Sequence, residues 1–319
     1  MSGQAFIGID LGGTNVRAGA VTPEGQLLLW RDVPIEARQG PEIGVRRITA
    51  LIDQVCSEAG IRPQAIGIGS TGPLDRQRGA IQNPYTLPTW EDVDIASPLS
   101  KKFGVLVTLE NDADAAALGE SWQGAGRGKK SLAMVTVGTG IGTAFIQDGD
   151  IFRGINGTHP EGGHIPVDPS GPECYCGARG CWESLASGTA IGVLARRLVT
   201  LEHSSLLAKA DNDPAQIDAA LVAAAAREGD TLSMRIIDQA ATYLGLGLVS
   251  ILHLFLPDCV IFSGGVFHSA ELFLPRLAEI ISRHSIMSPL DQIPLYMAEL
   301  GQQSGILGAA KAAILATEK

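Results

Sequence analysis

The stretch EGGHIPVDPSGPECYCGARGCWE concentrates metal-binding side chains in a chain that has only five cysteines. These side chains, spaced as H-x9-C-x-C-x4-C, are His164, Cys174, Cys176 and Cys181. One imidazole and three thiolates form the ligand set of a closed tetrahedral zinc site. Three cysteines cannot pair evenly as disulfides, which are also rare in cytosolic proteins. The spacing therefore predicts a structural Zn²⁺, since four protein ligands leave no open position for a reacting water.

Glu161 and Glu183 flank these ligands. Their carboxylates can accept hydrogen bonds from sugar hydroxyls, and His164 can bind metal through one ring nitrogen and a hydroxyl through the other. Plain surface charge is the alternative interpretation for both glutamates.

The segment LENDAD contains a candidate catalytic base at the junction of a predicted strand and a predicted helix. Asn and Asp are preferred helix caps, so one of Asn111, Asp112 and Asp114 is expected to cap the helix. Asp112 is the candidate base, which would orient an attacking hydroxyl and accept its proton. The positive helix end should keep this carboxylate ionised at pH 7.

Glycine-rich turns follow two predicted strands and are candidates for phosphate binding. The residues are Asp10, Gly12, Gly13 and Thr14 in the first turn and Gly138, Thr139 and Gly140 in the second. Glycines let backbone N–H groups approach phosphate oxygens, and a strand-end aspartate suits a phosphate-bound Mg²⁺. Neither turn is a P-loop or a Rossmann fingerprint, and a simple hairpin turn is the alternative for each.

A third glycine turn, Gly264-Gly265, follows the apolar strand CVIF and precedes a predicted helix. Backbone amides at a helix N-terminus can bind an anion or a nucleotide. An ordinary strand-to-helix turn is the alternative interpretation.

The elements that position these residues alternate between strands and helices, which is typical of α/β architecture. Helices are predicted over 112–122, 187–199, 214–227 and 230–254, and IFRG is predicted to be a strand. The segment IDLGGTNVRAGAVTPEGQLL matches VTVGTGIGTAFIQDGDIFRG in its order of strands and glycine turns, at an offset of about 125 residues. Two copies imply two similar lobes, with a ligand cleft between them. The predicted lobes are 1–118 plus 305–319, and 119–304.

Composition limits the classes of partner. The net charge of −10 and the absence of long basic runs argue against nucleic acid. The apolar run from Leu244 is too short to span a bilayer and contains Ser250 and His253, so we expect a buried helix and no membrane partner. No signal peptide is apparent, and a cytoplasmic location is expected.

Taken together, these motifs resemble the ROK family (repressors, open reading frames and sugar kinases) within the actin-like ATPase superfamily. DLGGTN, LENDADAAALGE, VTVGTGIG, EGGH, CxCGxxGCxE and the SGG turn occur in family order along essentially the whole chain. The resemblance implies a two-lobed, ribonuclease H-like fold. It also implies transfer of the γ-phosphoryl group of ATP, with Mg²⁺, to the 6-hydroxyl of a hexose or N-acetylhexosamine.

The resemblance also implies roles for individual residues. Asp112 would be the base and Asn111 a sugar ligand, and the two glycine turns would embrace the ATP phosphates while Gly264-Gly265 lies near the adenosine. The remaining sugar ligands would be Glu161, His164 and Glu183. A homodimer or homotetramer is expected.

Two segments depart from the family pattern. Many members have Gly-x-Pro-Gly where this chain has Gly69-Ser70-Thr71-Gly72, and Asn-Leu-Pro-Gly-Trp where it has Thr86-Leu87-Pro88-Thr89-Trp90. Both segments usually line the sugar pocket, which makes Gly72 and Thr86 candidate sugar-binding residues. Glucose is the first candidate substrate, followed by N-acetylmannosamine and N-acetylglucosamine.

Other classes of protein are less compatible with the sequence. A family repressor would need a DNA-binding motif of roughly sixty residues before the first phosphate turn, but the turn begins at Asp10. A catalytically silent sugar-binding protein would be expected to lose Asp112 or a glycine turn. A zinc hydrolase would need an open coordination position.

Overall fold

The computed structural model describes residues 4–202 and 204–318. The strands are β1 (Gln4–Leu11), β2 (Asn15–Val21), β3 (Leu27–Pro34), β4 (Arg62–Ser70), β5 (Leu74–Asp75), β6 (Ala80–Ile81), β7 (Val93–Asp94), β8 (Leu106–Asn111), β9 (Ser131–Val137), β10 (Ile141–Gln147), β11 (Asp150–Ile151), β12 (Val260–Ser263) and β13 (Leu295–Met297). The α-helices are α1 (Pro41–Ala59), α2 (Ala96–Phe103), α3 (Asp112–Gln123), α4 (Trp182–Ala186), α5 (Gly188–Leu198), α6 (Ser205–Lys209), α7 (Ala219–Arg227), α8 (Thr231–Phe255), α9 (Ala270–Arg283) and α10 (Ser304–Thr317).

The two larger sheets repeat one topology. Their strand orders are β3-β2-β1-β4-β8 and β11-β10-β9-β12-β13. Each sheet contains three consecutive strands and then adds two later strands, which pair in parallel. A glycine turn joins the first two strands in both sheets. The predicted α/β fold with a duplicated strand, glycine turn and strand is therefore confirmed.

The described chain divides into two compact units. The first contains the chain up to Leu132, Ala144–His159 and the chain from Ala298 onward, and the second contains Ala133–Thr143 and Pro160–Met297. The predicted boundary at residue 118 lies inside α3, which continues to Gln123. The predicted lobe boundaries stay a prediction.

The core of the first unit is built on both faces of its sheet. The buried stripe of α1, which includes Ile48 and Leu51, belongs to the same hydrophobic cluster as β1 and β4. Helix α10 contacts both of these strands. A Cβ at Gly67 in β4 would lie 1.7 Å from the carbonyl oxygen of Ala309 in α10, so this close approach requires glycine.

The core of the second unit includes α8, which packs against α7 and α9. Within the described residues, this is the one helix that is long and apolar enough to cross a membrane. Most of its apolar window is buried, as in the core helix of a globular protein. The buried helix predicted from Leu244 onward is confirmed as part of α8.

Two predicted elements differ from the structure. The strand predicted at IFRG is reduced to β11, which ends at Ile151. The helix predicted over 214–227 is divided, because Pro214 begins a short 3-10 turn and Asp218 then caps α7 by accepting a hydrogen bond from the Leu221 N–H. Asp side chains favour such local bonds over helix continuation.

Candidate functional site

The parallel strands of the first sheet bring the predicted residues of the first unit to one edge. Leu11, Ser70 and Asn111 end β1, β4 and β8 in matching register. The Gly12-Gly13 turn follows β1 directly and Asp112 follows β8 directly. Gly72 follows β4 after one intervening residue. Because parallel strands end at the same edge of a sheet, candidate phosphate and sugar residues lie side by side.

Asn111 caps α3. Its side-chain oxygen accepts a hydrogen bond from the backbone N–H of Ala113 at 2.8 Å, which satisfies one otherwise unpaired helix donor. Asp112 is the first residue of the helix and also accepts from Ala113, at 2.8 Å. The cap among the three candidates is therefore Asn111, and this leaves Asp112 in the first turn with the helix dipole behind it.

The pKa of Asp112 is raised to about 6. Burial of the carboxylate is the main cause and the negative charge of Asp10 adds to it, while the Ala113 N–H and His159 act in the opposite direction. The predicted stabilisation by the helix end is thus present, but burial outweighs it. Asp112 still ionises below neutral pH, and a pKa near the operating pH suits a general base.

The first glycine turn is a tight hairpin. The N–H of Gly12 donates to the carbonyl oxygen of Asn15 at 3.0 Å, and a Cβ at Gly13 would lie 2.7 Å from the carbonyl oxygen of Thr86. Asp10 accepts a hydrogen bond from Arg17 on β2 at 2.8 Å. The turn therefore has the predicted hairpin geometry and is packed against the Thr86 loop.

A buried ion cluster near the base was not predicted from the sequence. Glu110 is 3% exposed and accepts two hydrogen bonds from Arg76, both at 2.6 Å, and one from Arg153 at 2.8 Å. Paired arginines satisfy a carboxylate that would otherwise be costly to bury. This cluster fixes the end of β8 immediately before Asn111.

A second unpredicted pair lies on α3. The buried Asp114 and His159 are joined by a hydrogen bond of 2.9 Å from the ring Nδ1. The partners of both clusters are 34 to 45 residues apart in sequence. No local sequence pattern marks contacts at such separations.

The second unit gathers the four predicted metal ligands. Their ligand atoms all lie within 4.8 Å of one another. The Cys176 and Cys181 sulfurs are 3.5 Å apart, and the Cys174 sulfur lies 3.6 Å from Nδ1 of His164. A tetrahedral ion with metal–sulfur bonds of about 2.3 Å would separate two sulfurs by about 3.8 Å. The donor set and its spacing therefore fit a zinc ion.

Tyr175 hydrogen bonds to the ring of His164 and was missed by the sequence analysis. Its hydroxyl lies 3.2 Å from Nε2, the nitrogen that faces away from Cys174. Although most of the Tyr175 side chain is exposed, its pKa is raised to about 12, first by local desolvation of the hydroxyl beside His164 and then by the negative charge of Glu183. The negative charge of Glu161 contributes in the same direction. Of the three predicted sugar ligands of the second unit, His164 therefore contacts the phenol hydroxyl, and the two glutamates act on it through their charge.

Glu183 also supports the second glycine turn. Its Oε2 accepts a hydrogen bond from the N–H of Ile141 at 2.8 Å. A Cβ at Gly140 would lie 2.2 Å from the same oxygen, so a larger residue there would displace the Glu183 carboxylate from this position. A predicted sugar ligand thus holds a predicted phosphate turn in place.

The second and third glycine turns line one cavity of about 700 Å³. Gly138 and Thr139 of the second turn and Gly265 of the third turn contribute to its lining. The N–H of Gly188 at the start of α5 donates to the carbonyl oxygen of Gly138 at 2.8 Å, so a helix N-terminus also faces this turn. The unpredicted charged residues of the lining are Arg196, Asp218 and Arg227.

A neighbouring cavity of about 970 Å³ connects the phosphate turn to the cysteine loop. Thr139 lines both cavities, and Gly140, Tyr175 and Glu183 line this one. Within the second unit, the structure therefore brings the predicted nucleotide and sugar residues next to each other.

Comparisons with known proteins agree with this arrangement. The sequence profile of the ROK family matches residues 6–317. A glucokinase from Thermotoga maritima is 38% identical, with 96% of each chain covered. The crystal structure of a ROK hexokinase from Thermus thermophilus is 35% identical with a TM-score of 0.87, covering 98% of this chain and 99% of that one. A ROK family glucokinase from Streptomyces griseus, solved with glucose and AMPPNP, is 33% identical with a TM-score of 0.77, covering 97% and 99%.

Proposed function

The chain belongs to the ROK family, and from this premise we propose that it is an ATP-dependent hexose kinase that phosphorylates the 6-hydroxyl of glucose. One observation carries the proposal: Asp112 lies at the N-terminus of α3, at the sheet edge that also holds the first glycine turn. A half-buried carboxylate with a pKa of about 6 is suited to accepting a hydroxyl proton. The relatives named glucokinase support glucose as the acceptor.

We assign the nucleotide to the glycine turns. Gly138, Thr139 and Gly265 line a cavity large enough for a nucleoside. Backbone N–H groups of Gly12, Gly13 and Gly140 would bind phosphate oxygens. Mg²⁺ would be held by the phosphates and Asp10, and it would neutralise charge that develops on the phosphoryl oxygens.

We assign the sugar to the polar residues that the family resemblance indicates. Glu161, His164 and Glu183 would bind ring hydroxyls, with one hydroxyl replacing that of Tyr175 at Nε2 of His164. Asn111, Gly72 and Thr86 would complete the contacts. Zn²⁺ held by the four ligands would fix the loop that presents His164, as closed zinc sites do in other proteins.

The transfer step then follows from Asp112. Its carboxylate orients the sugar 6-hydroxyl and accepts the proton as the O6–phosphorus bond forms and the bond from phosphorus to the ADP oxygen breaks. In a loose transition state the proton moves late, so positioning is the main contribution of the base. ADP and the sugar 6-phosphate are the products.

N-acetylmannosamine or N-acetylglucosamine is the second candidate acceptor. Thr86 is exposed and shorter than the asparagine of many relatives, which leaves room for an acetamido group. We also propose a cytoplasmic location, where the zinc thiolates stay reduced, and a homodimer or homotetramer.

An ADP-release assay with MgATP tests the proposal. We would measure kcat/KM for glucose, N-acetylmannosamine, N-acetylglucosamine, mannose, fructose and allose. A preference for glucose is expected, whereas a preference for an acetylated sugar would support the second candidate. Sugar binding without ADP release on any of the six would contradict the kinase assignment and favour a sugar-binding protein.

A further inference from the structure

Two threonine hydroxyls are hydrogen bonded to each other beside the candidate catalytic residues of the first unit. The Oγ1 atoms of Thr71 and Thr86 are 2.9 Å apart, although the residues are 15 positions apart in sequence. Thr71 is half-buried and Thr86 is exposed. A small ligand can therefore reach the hydroxyl pair from solvent.

The side chain of the buried Asn83 is hydrogen bonded to both hydroxyls of the Thr71–Thr86 pair. Its side-chain oxygen accepts hydrogen bonds from the backbone N–H groups of Tyr85 and Thr86, both at 3.1 Å. These contacts orient the amide so that its nitrogen faces the hydroxyls. That nitrogen donates to Thr86 Oγ1 at 2.6 Å, and one N–H is shared between Oγ1 and the carbonyl oxygen of Thr71, both at 3.2 Å. Both hydroxyl oxygens thus already accept a hydrogen bond from one amide.

The two hydroxyls carry one more proton than their mutual hydrogen bond uses. Each hydroxyl carries one proton, and one of these two protons lies in the bond between Thr71 and Thr86, for which either oxygen can be the donor. The second proton has no acceptor among the described residues. The pair therefore keeps one outward-facing donor, which can reside on either oxygen.

The position of the pair relates it to the sugar site. A Cβ on Gly72, the residue after Thr71, would lie 3.3 Å from the side-chain nitrogen of Asn111. The carbonyl oxygen of Thr86 lies against Gly13 in the first glycine turn. The two hydroxyls thus belong to the loops that contact the helix cap before Asp112 and the phosphate turn.

We propose that the Thr71–Thr86 pair is an adaptable hydrogen-bond donor to a sugar ring hydroxyl, so that the enzyme accepts hexoses that are epimers at that hydroxyl. The inference rests on the proposed hexose kinase function. An amide at this position would donate in fixed directions and leave a buried group unpaired with the wrong epimer. In the pair, rotation of both O–H bonds reverses the hydrogen bond between the two oxygens, which are 2.9 Å apart. The free donor then lies on the other threonine and can follow either orientation of the sugar hydroxyl.

Valine substitutions test this proposal because valine has the shape of threonine without the hydroxyl. Thr71→Val leaves the outward donor on Thr86, and Thr86→Val leaves it on Thr71. We would measure kcat/KM for glucose, mannose, allose and galactose with MgATP. The ratio between the two best substrates should shift by about 3- to 10-fold in opposite directions in the two variants, as expected for loss of one hydrogen bond.

Controls separate hydrogen bonding from loop stability. Thr49→Val removes a hydroxyl that bonds only within α1, to the carbonyl oxygen of Val45, and should leave the ratio unchanged. Thr71→Ser and Thr86→Ser keep the hydroxyl and should retain the parent ratio.

Three results would overturn the inference. One is a ratio that stays constant, or moves the same way in both valine variants, while turnover persists. Another is a parent enzyme that rejects every epimer of its best sugar by more than about a hundredfold, which is selectivity typical of fixed polar recognition. The third is an unaltered enzyme that phosphorylates none of the four sugars. If it also fails with N-acetylmannosamine and N-acetylglucosamine, the kinase function is overturned as well. Turnover by the parent enzyme thus distinguishes failure of the function from failure of this inference.

Discussion

At the scale of a single residue, the proposed base Asp112 must be ionised to accept a proton, yet its carboxylate is partly removed from water, which disfavours ionisation. Asp112→Asn keeps the side-chain shape and the acceptor for the Ala113 N–H but cannot take a proton. We expect kcat to fall by about two to four orders of magnitude, as for loss of a general base, with glucose affinity retained. Rapid-quench phosphoryl transfer and calorimetric glucose binding measure the two quantities. Near-normal turnover would refute the base assignment.

The raised pKa of Asp112 also predicts opposite effects of pH on activity and stability. kcat/KM should decrease as the pH falls through about 6, because the protonated carboxyl is inactive. Burial raises the pKa above that of the unfolded chain, so the folded protein binds more protons between about pH 4 and 6 and stability declines as the pH rises through this range. Asp112→Asn should therefore melt at a higher temperature than the parent at pH 7.5, and the difference should narrow toward about pH 4. A parent that gains no stability relative to the variant on acidification would contradict this account.

At the scale of elements, the proposal makes the cysteine loop depend on one bound zinc ion for its shape. Cys176 is exposed, so Cys176→Ser removes a ligand with little loss of packing. We expect zinc content and activity to be lost together, measured by plasma mass spectrometry and ADP release. Cys56→Ser, outside the cluster and half-buried, is the matched control and should retain both. An active protein without metal would show that the loop is shaped by its backbone alone.

Glu183 is a proposed sugar ligand and also accepts a hydrogen bond from the second glycine turn. Two substitutions separate these roles. Glu183→Gln keeps an oxygen that can accept from Ile141 but removes the charge, so the KM for glucose should rise more than the KM for ATP. Glu183→Ala removes the support of the second glycine turn and should raise both, by about 10-fold or more for each lost hydrogen bond to a charged group. Steady-state kinetics with each substrate varied in turn would check this. An equal change in the KM for ATP in Glu183→Gln and Glu183→Ala would exclude a role for the hydrogen bond between Glu183 and Ile141.

The elements of the site were predictable where the information was local. The metal ligands, the glycine turns and the helix start at Asp112 each have a spacing that indicates their chemistry, and the structure groups them as expected within each unit. Tyr175 and the arginines around Glu110 were not predictable, because their partners are set by tertiary packing rather than spacing. The strand predicted at IFRG extends beyond β11, which has two residues. Propensity alone does not determine how long a strand stays paired.

At the scale of the whole molecule, helix α10 is fitted to glycines in strands from the other end of the chain. Gly67→Ala would place a methyl group against the carbonyl oxygen of Ala309 and force α10 away from the sheet. We expect a loss of roughly 2–4 kcal/mol of unfolding free energy, similar to other severe overpacking, measured by urea unfolding. Gly60→Ala is the comparison. It has a φ of +66° but no atom within 4 Å of the added Cβ, so it should cost only about 1 kcal/mol. Equal costs would contradict the packing argument.

The location of α10 has a consequence for synthesis on the ribosome. The strands against which it packs are made first, whereas α10 is made after almost all of the chain, at Ser304–Thr317. Until then, one face of β1 and β4 has no partner, while Ala133–Thr143 and Pro160–Met297 are already available to form the second unit. Because domains generally fold as units during translation, we expect the second unit to fold before the first. Strands β1 and β4 should stay incompletely packed until α10 has been synthesised. Nascent chains stalled before α10 should therefore be cut by protease in their first 130 or so residues and resist cleavage in the segment after Pro160.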